Sequence, residues 1–509
     1  MGNVVAPIWD HAVRHPEAVA LRSATGGREE RLTAGELTAR SGAFARRLVA
    51  AGVHPGDRVL LVAPTGIAFV VAYLGILASG ATAVTVNTQC TAPELGHFLD
   101  DARCTLAIAH DEHRDAVARA GAAAGIPVWS VDDRTGAGAT VPDPADVVAR
   151  AGDDLAVLLY TSGTTGKPKG AMLGHGTVGA AVRCYESLLG ISADDRLGTA
   201  LPLFHVFGQI SVMLTALVLG APLSLLRPFT GPALLRLAAD HRLTIVSGVP
   251  TMWIEMLRAG TPVGREDLTA LRLAASGGAA LPQEIGRAFA ERFGVEILDG
   301  YGLSETSAAG TFTRPGRPAR AGSVGQALPG LEIALLDESG VEVATGTVGE
   351  VAIRGPVVFQ GYWGRPEATR EVLREGWFRT GDLARADDDG YLWIVDRTKD
   401  VIIRGGYNVY PREVEELLYT YPGVHEAAVI GIPDERLGEE VAAVLVPVAG
   451  AGLDPEQVRA WLADRLASYK QPRLYQVTDA LPRNGTGKIL KRAIDRDAVL
   501  AGARRVRRA

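Results

Sequence analysis

Between Tyr160 and Gly170 the sequence reads YTSGTTGKPKG, setting Thr161, Ser162, Thr164 and Thr165 around Gly163 and Gly166 and placing Lys167 and Lys169 around Pro168. Glycines let successive backbone N–H groups turn inward, hydroxyls add donors, and ammonium groups bring charge, so the segment is suited to cradle phosphate. It is not a Walker loop. Only two residues separate Gly163 from Gly166, and Pro168 stands where Ser or Thr should hold magnesium. A kinase or P-loop ATPase is thereby disfavoured. The competing reading is an ordinary Gly/Thr turn between a strand and a helix.

Other stretches carry chemistry at a distance. Asp299 to Thr306 (DGYGLSET) joins an aromatic, Tyr301, to the hydroxyl of Ser304 and the carboxylate of Glu305. A hard carboxylate oxygen suits Mg2+, which makes Glu305 a metal candidate. Asp382 sits in Thr380-Gly381-Asp382, Arg397 in the charged string Asp396 to Asp400, and Lys488 in Asn484-Gly485-Thr486-Gly487-Lys488. Of 52 Lys plus Arg only six are lysines (Lys167, Lys169, Lys399, Lys470, Lys488 and Lys491), and all but Lys470 fall in Gly- or turn-bearing motifs. A chain that otherwise spends Arg freely has a chemical reason to place compact ammonium groups there.

Bulk properties narrow the classes. A net charge of -6 gives no general attraction to nucleic acid or anionic membrane. Cys90, Cys104 and Cys184 are scattered and form no CxxC pair, so neither a disulfide framework nor a zinc site is expected, and a reducing cytoplasm fits best. Ala63 to Val86 carries no charge and is long enough on paper to span a bilayer. Gly66, Gly75 and Gly80 interrupt it, and a buried helix leading into a strand is preferred. The amino terminus lacks a signal-peptide pattern.

YTSGTTGKPKG followed by His175 resembles the signature of the adenylate-forming superfamily: acyl- and aryl-CoA synthetases, luciferases and peptide-synthetase adenylation domains. LPLFHVFG, SGGAAL, DGYGLSET, GWFRTGDLA, DRTKDVIIRGGYNVYPREVE and PRNGTGKILKR match in the family's order. The resemblance covers essentially the whole chain and implies an ATP-dependent acid:CoA ligase using ATP, Mg2+ and coenzyme A. It places Thr161 to Lys167, Lys169, Gly278, Ala279, Asp299 to Gly302 and Ser304 to Thr306 around the nucleotide, with Thr165 and Glu305 at the metal. Asp382 resembles the ribose-binding aspartate and Arg397 its second ribose and phosphate contact. Lys488 resembles the lysine bridging carboxylate and α-phosphate during adenylation, and Lys491 is taken as solvated. Lys399 matches the hinge about which the small domain swings, and Arg404, Gly405 and Gly406 match the face that passes pantetheine. His205 resembles the aromatic gate between the acid site and the thiol tunnel.

For the acid, the resemblance points to His205, Phe207, Gly208, Ser211, Val249, Gly277, Gly300, Gly302 and Ala308. These are small, apolar or weakly polar, and include no fixed cation. A second buried carboxylate would be costly there, so a monocarboxylate is expected. Gly300 stands where malonate-activating relatives carry arginine. The motif texture is closest to fatty-acyl-CoA synthetases, and Ala308-Ala309-Gly310 leaves depth for a medium or long chain. The alternatives are an aryl acid (4-coumarate- or benzoate-like) or delivery of the acyl group to a carrier protein. Oligomeric state stays open, a homodimer included.

These groups need a scaffold. Apolar runs of strand length at Leu155 to Leu159, Leu243 to Val249, Leu271 to Ala275 and Val295 to Leu298 alternate with helical patterns, which indicates α/β layering. From Leu331 the pattern turns to short β segments, Leu331 to Leu336 and Val348 to Arg354. After the strand at Tyr391 to Val395, a small α+β unit follows, its helices opened by Pro411 and by Asp454-Pro455. The expectation is a large N-terminal multi-sheet α/β domain (1–396) with a β-rich subdomain, and a small mobile C-terminal α+β domain (397–509).

Overall fold

The computed structural model describes residues 2–139, 143–161, 168–317, 320–448, 450, 452–483 and 489–505. Ser162 to Lys167 and Asn484 to Lys488 lie outside the described residues.

The chain forms two compact units. The first comprises Met1–Leu281, Ile285–Glu332 and Ile353–Phe378; the second comprises Pro282–Glu284, Ile333–Ala352 and Arg379–Ala509. The first is built on two sheets. In the six-stranded sheet Arg58–Val62 lies parallel to both Thr82–Thr85 and Cys104–His110. Leu155–Thr161 adds parallel to Thr82–Thr85, and Lys169–Gly174 closes that edge antiparallel. In the nine-stranded sheet the short strands Leu197–Thr199, Leu223–Arg227, Ile245–Gly248, Leu273–Ser276 and Ile297–Tyr301 run parallel. Parallel strands buried on both faces read as continuous apolar runs, which is why Ile245–Gly248, Leu273–Ser276 and Ile297–Tyr301 stood out in the sequence.

The uncharged stretch resolves as a helix, Ile67–Ala78, with every residue buried, followed by the strand Thr82–Thr85. A helix apolar on all sides belongs inside a core. No helix among the described residues is long and apolar enough to cross a membrane.

One expectation changes. The segment after the Gly/Thr-rich loop is a strand, Lys169–Gly174, and the helix His175–Leu189 begins only beyond it. The loop therefore joins two antiparallel strands, with Tyr160 opposite Gly170 and Thr161 opposite Lys169. Gly170 permits this because a Cβ there would come within 2.9 Å of the Leu158 side chain.

In the second unit the cross-strand pairs of Trp377–Ala386 and Leu392–Arg397 include Asp382 opposite Arg397. A further six-stranded sheet contains the long hairpin Val424–Asp434/Gly438–Pro447, flanked by Pro411–Tyr419 and Pro455–Ala463. Both helices start at proline, and Asp454 caps the second by accepting from Glu456 N. The turn Gly405-Gly406 has positive φ at both residues and closes a tight hairpin between Ile402–Arg404 and Tyr407–Val409.

Candidate active site

Both flanks of the Gly/Thr-rich loop are anchored. At its entry Tyr160 donates to Asp101 Oδ2 at 2.7 Å and packs on Phe98 with ring centroids 4.7 Å apart. At its exit Gly170 O accepts from Trp363 N at 2.8 Å, and Ala171 bridges Tyr362. Thr161 and Lys169 sit at the mouth, with Lys169 Nζ 5.3 Å from the Tyr362 ring centroid.

Glu305 lies in the short 3-10 turn Ser304–Thr306 and is only 7% exposed. Its Oε1 accepts from Tyr362 OH at 2.9 Å and from Thr161 Oγ1 at 3.3 Å. The carboxylate is thus fixed beside the mouth of the loop. Burial and the neighbouring Glu305 charge push the Tyr362 hydroxyl upward, so it stays a donor. Sequence reasoning missed Tyr362, whose motif Gly361-Tyr362-Trp363 drew no attention. A single buried carboxylate beside a phosphate cradle fits Mg2+, which keeps waters and substrate phosphates in its shell and needs few protein ligands. Among the described residues no cluster of three or more His, Cys, Asp or Glu could hold a metal unaided.

After the turn the backbone takes an unusual course: Ser307 and Ala308 have φ of 54° and 65°. Two consecutive non-glycine residues in the left-handed region mark a place where the fold imposes local strain, a frequent sign of function. Gly302 lies against this bend, where a Cβ would come within 2.0 Å of Ala308 O.

The residues assigned to the acid converge in the same unit. A Cβ placed on Gly277 would be 3.5 Å from Gly300 O and 3.5 Å from the Phe207 ring. One placed on Gly278 would be 3.6 Å from Val249 Cγ1. Phe207, Gly208 and Ser211 belong to a π-helix, Phe207–Leu214, a widened turn that recurs at functional sites. Its first turn is pinned by Gln209, fully buried, which donates to Thr85 Oγ1 at 2.9 Å and Leu203 O at 3.0 Å. His205 precedes it, half-buried, with its Nδ1 accepting from Phe207 N at 3.4 Å. Ser211 Oγ donates to Tyr185 OH at 3.0 Å, and Tyr185 OH donates to Ala308 O at 2.7 Å. Tyr185 is a second residue the sequence did not single out.

Asp299 lies in the middle of the strand Ile297–Tyr301: its Oδ1 accepts from Gly300 N at 3.1 Å, and Tyr301 pairs Thr311 on the next strand. Thr306 is buried with its hydroxyl accepting from Leu303 N at 3.1 Å, while Gly278 and Ala279 are exposed.

In the second unit Asp382, 4% exposed, meets Arg397 Nε at 3.0 Å. The two residues assigned to ribose are partners across one strand pair. Lys399 is exposed two residues on, and Thr398 N donates to Gly381 O at 2.9 Å. Two expectations need correction. Arg404 is buried and committed to Glu440, with Nε at 2.6 Å from Oε1, and to the carbonyls of Ser468 and Tyr469, so only Gly405 and Gly406 of that trio present an open surface. Lys491 is not a solvated side chain but an ion-pair partner of Glu415 at 2.8 Å.

A buried carboxylate fixed beside the strands that flank a Gly/Thr-rich loop, in the same unit as the residues assigned to the acid, fits a nucleotide-dependent enzyme. Residues 8–363 match the family described as AMP-binding enzyme, and residues 413–488 match the AMP-binding enzyme C-terminal domain. The chain belongs to this adenylate-forming family and is an AMP-forming acid–thiol ligase working with ATP, Mg2+ and coenzyme A. It is 41% identical over 487 residues to a feruloyl-CoA synthase of Amycolatopsis sp, covering 94% of this chain and 96% of that one. It is 36% identical over 470 residues to the long-chain-fatty-acid–CoA ligase FadD13 of Mycobacterium tuberculosis, covering 91% and 92%. Among solved structures, ATP-bound MatB from Rhodopseudomonas palustris superposes with a TM-score of 0.90 at 34% identity, covering 98% of this chain and 99% of that one.

Proposed function

We propose that the chain activates a compact aryl or arylalkenyl monocarboxylic acid as its adenylate and transfers the acyl group to coenzyme A. The observation that carries the choice of acid is Tyr185. Its hydroxyl joins Ser211 in the π-helix to Ala308 O, at the place where the run Ala308-Ala309-Gly310 would otherwise give depth for an alkyl chain. A buried ring with its hydroxyl satisfied on both sides makes a firm floor, and a floor favours a flat, short acid over a long one. The relative named for a feruloyl substrate supports this reading. A long-chain acid remains the second reading, supported by the relative named for such chains.

In the adenylation step Lys488 would bring positive charge to the reacting carboxylate and α-phosphate, Glu305 would hold Mg2+, and Asp382 with Arg397 would receive the ribose. Magnesium, when bound, screens phosphate charge. His205 and Phe207 border the acid, and Lys399 is the pivot between half-reactions, with a domain boundary at 396/397. The three free cysteines support a reducing compartment, the cytoplasm, for this reaction. ATP–pyrophosphate exchange across hydroxycinnamates, benzoates and C6–C16 fatty acids tests the substrate. Hydroxycinnamates should lead by about tenfold or more, the discrimination expected from a shaped pocket. Preference for aliphatic chains would overturn the aryl assignment, and product analysis with and without coenzyme A tests the acceptor.

A further inference from the structure

In the first unit the segment that carries His205 and Phe207 is tied to the six-stranded sheet by buried polar side chains. Thr85 is the last residue of the interior strand Thr82–Thr85 and is buried. Its Oγ1 donates at 3.2 Å to Phe204 O, the carbonyl just before His205, and accepts from Gln209 Nε2 at 2.9 Å. The same Gln209 amide donates to Leu203 O at 3.0 Å, and its Oε1 accepts from Tyr73 OH at 3.4 Å. Tyr73 is fully buried on the helix Ile67–Ala78. A further anchor lies just upstream, where Thr65 Oγ1 donates to Leu201 O at 2.9 Å and accepts from Leu203 N at 3.2 Å.

Gln209 is fully buried, with its amide nitrogen and its oxygen both engaged, and its backbone N donates to His205 O at 2.9 Å. Burying an amide is costly unless it is satisfied, and an apolar side chain would fill the same space without that cost. A fully satisfied polar network, however, selects one arrangement where apolar packing admits several. Here it arranges the backbone from Leu201 to Gln209, and with it the Phe207 ring, 3.5 Å from the Cβ position of Gly277. A strand interior to a sheet is a firm base for such a hold.

We infer that Thr85 and Gln209 are positioning residues for selection of the acid. Their hydrogen bond, based on the strand Thr82–Thr85, fixes the Phe207 ring opposite Gly277 and so keeps the space for the acid narrow. Neither residue touches the substrate; both act through the segment that does. The inference rests on the reading that Phe207 borders the acid.

The test uses the full chain and compares kcat/KM in ATP–pyrophosphate exchange for 4-hydroxycinnamate with that for octanoate. This ratio does not depend on how much of a variant is active, so a merely structural loss leaves it in place. Thr85→Val keeps the shape of the side chain and removes the hydroxyl; it should shift the ratio towards unity by about fivefold, the scale of one neutral hydrogen bond. Gln209→Leu should do the same, and the double variant should lose little more, because both act through one hydrogen bond. Thr85→Ser retains the hydroxyl and should keep the parent ratio. A ratio within about twofold of the parent in Thr85→Val, or an equal fall in Thr85→Ser, overturns the inference; if Gln209→Leu does not fold, the two Thr85 variants decide. Phe207→Ala must also move the ratio, and the inference falls if it does not. A parent that prefers octanoate overturns the aryl reading by itself; the positioning role then stands if Thr85→Val erases that preference and falls if it does not.

Discussion

Replacing Tyr362 by Phe deletes one hydroxyl and keeps the ring that packs edge-on against Phe359 at 4.9 Å. The lost contact is the 2.9 Å hydrogen bond to Glu305 Oε1. A hydrogen bond to a charged acceptor contributes about 1.5–3 kcal/mol, or about ten- to a hundredfold in the equilibrium it supports at 1.4 kcal/mol per decade. Thr161 Oγ1 still donates to the same oxygen at 3.3 Å, so the lower end applies. If the hydroxyl orients Glu305 for the metal, half-saturation by free Mg2+ in ATP–pyrophosphate exchange should rise by about tenfold. The maximal rate at high Mg2+ should change little. Thr161→Val supplies the second side of a cycle: two donors acting through one carboxylate give non-additive losses. An exchange rate within about twofold of the parent at every Mg2+ concentration, the scatter of independent sites, would refute the role given to Tyr362 and weaken that of Glu305.

Two further outcomes are expected. His175 is fully buried, its Nδ1 accepts from Val4 N at 3.1 Å, and burial lowers its pKa from 6.5 to about 4, with Arg150 adding to the effect. The folded state therefore holds it neutral while the unfolded chain takes up a proton, so its contribution is intact above pH 6.5 and is lost as pH falls towards about 4. Melting curves at pH 7.5 and 5 should show a steeper acid loss in the parent than in His175→Gln, by at most about 2 kcal/mol; parallel losses would show that other groups titrate. Lys399→Pro fixes φ beside the Thr398 N–Gly381 O contact. Single-turnover rates should show thioester formation slowed more than adenylation, and equal slowing would move the hinge elsewhere.

The strands of the first unit were legible because their apolar runs are bounded by turns. Leu155–Thr161, Ile245–Gly248, Leu273–Ser276 and Ile297–Tyr301 lie within two or three residues of their expected starts. The strand Lys169–Gly174 was not, because two glycines and a lysine give it little strand propensity of its own; its pairing with Leu155–Thr161 decides its conformation. Side-chain partners were hidden by their separation along the chain. Tyr362 reaches Glu305 across 57 residues and Ser211 reaches Tyr185 across 26, and no local pattern links either pair. Lys491 was misjudged because lysine ordinarily ends in water, a tendency that the buried carboxylate of Glu415 reverses. Arg404 follows the same logic with Glu440. The π-helix left no trace in the sequence, since its apolar residues also satisfy an ordinary buried helix.

Tyr362 and Trp363 tie the strand that follows the Gly/Thr loop to the carboxylate of Glu305. Trp363 N holds Gly170 O at 2.8 Å, and Trp363 Nε1 donates at 2.9 Å to Asp101 O. The carboxylate of that same Asp101 accepts from Tyr160 at the loop's other end. Tyr362 adds its hydroxyl to Glu305, and Phe359 N donates to Glu305 O at 2.8 Å. One short segment therefore bonds to the strand after the Gly/Thr loop, reaches Tyr160 before it through Asp101, and holds both the backbone and the side chain of the candidate metal residue. Catalysis by positioned charge requires its donors to be set before substrate arrives, and anchored flanks serve that end. The loop's chemistry was written at Tyr160 to Gly170, whereas the placement of its flanking strands is set by Asp101 and by residues 359–363, on separate stretches of the chain.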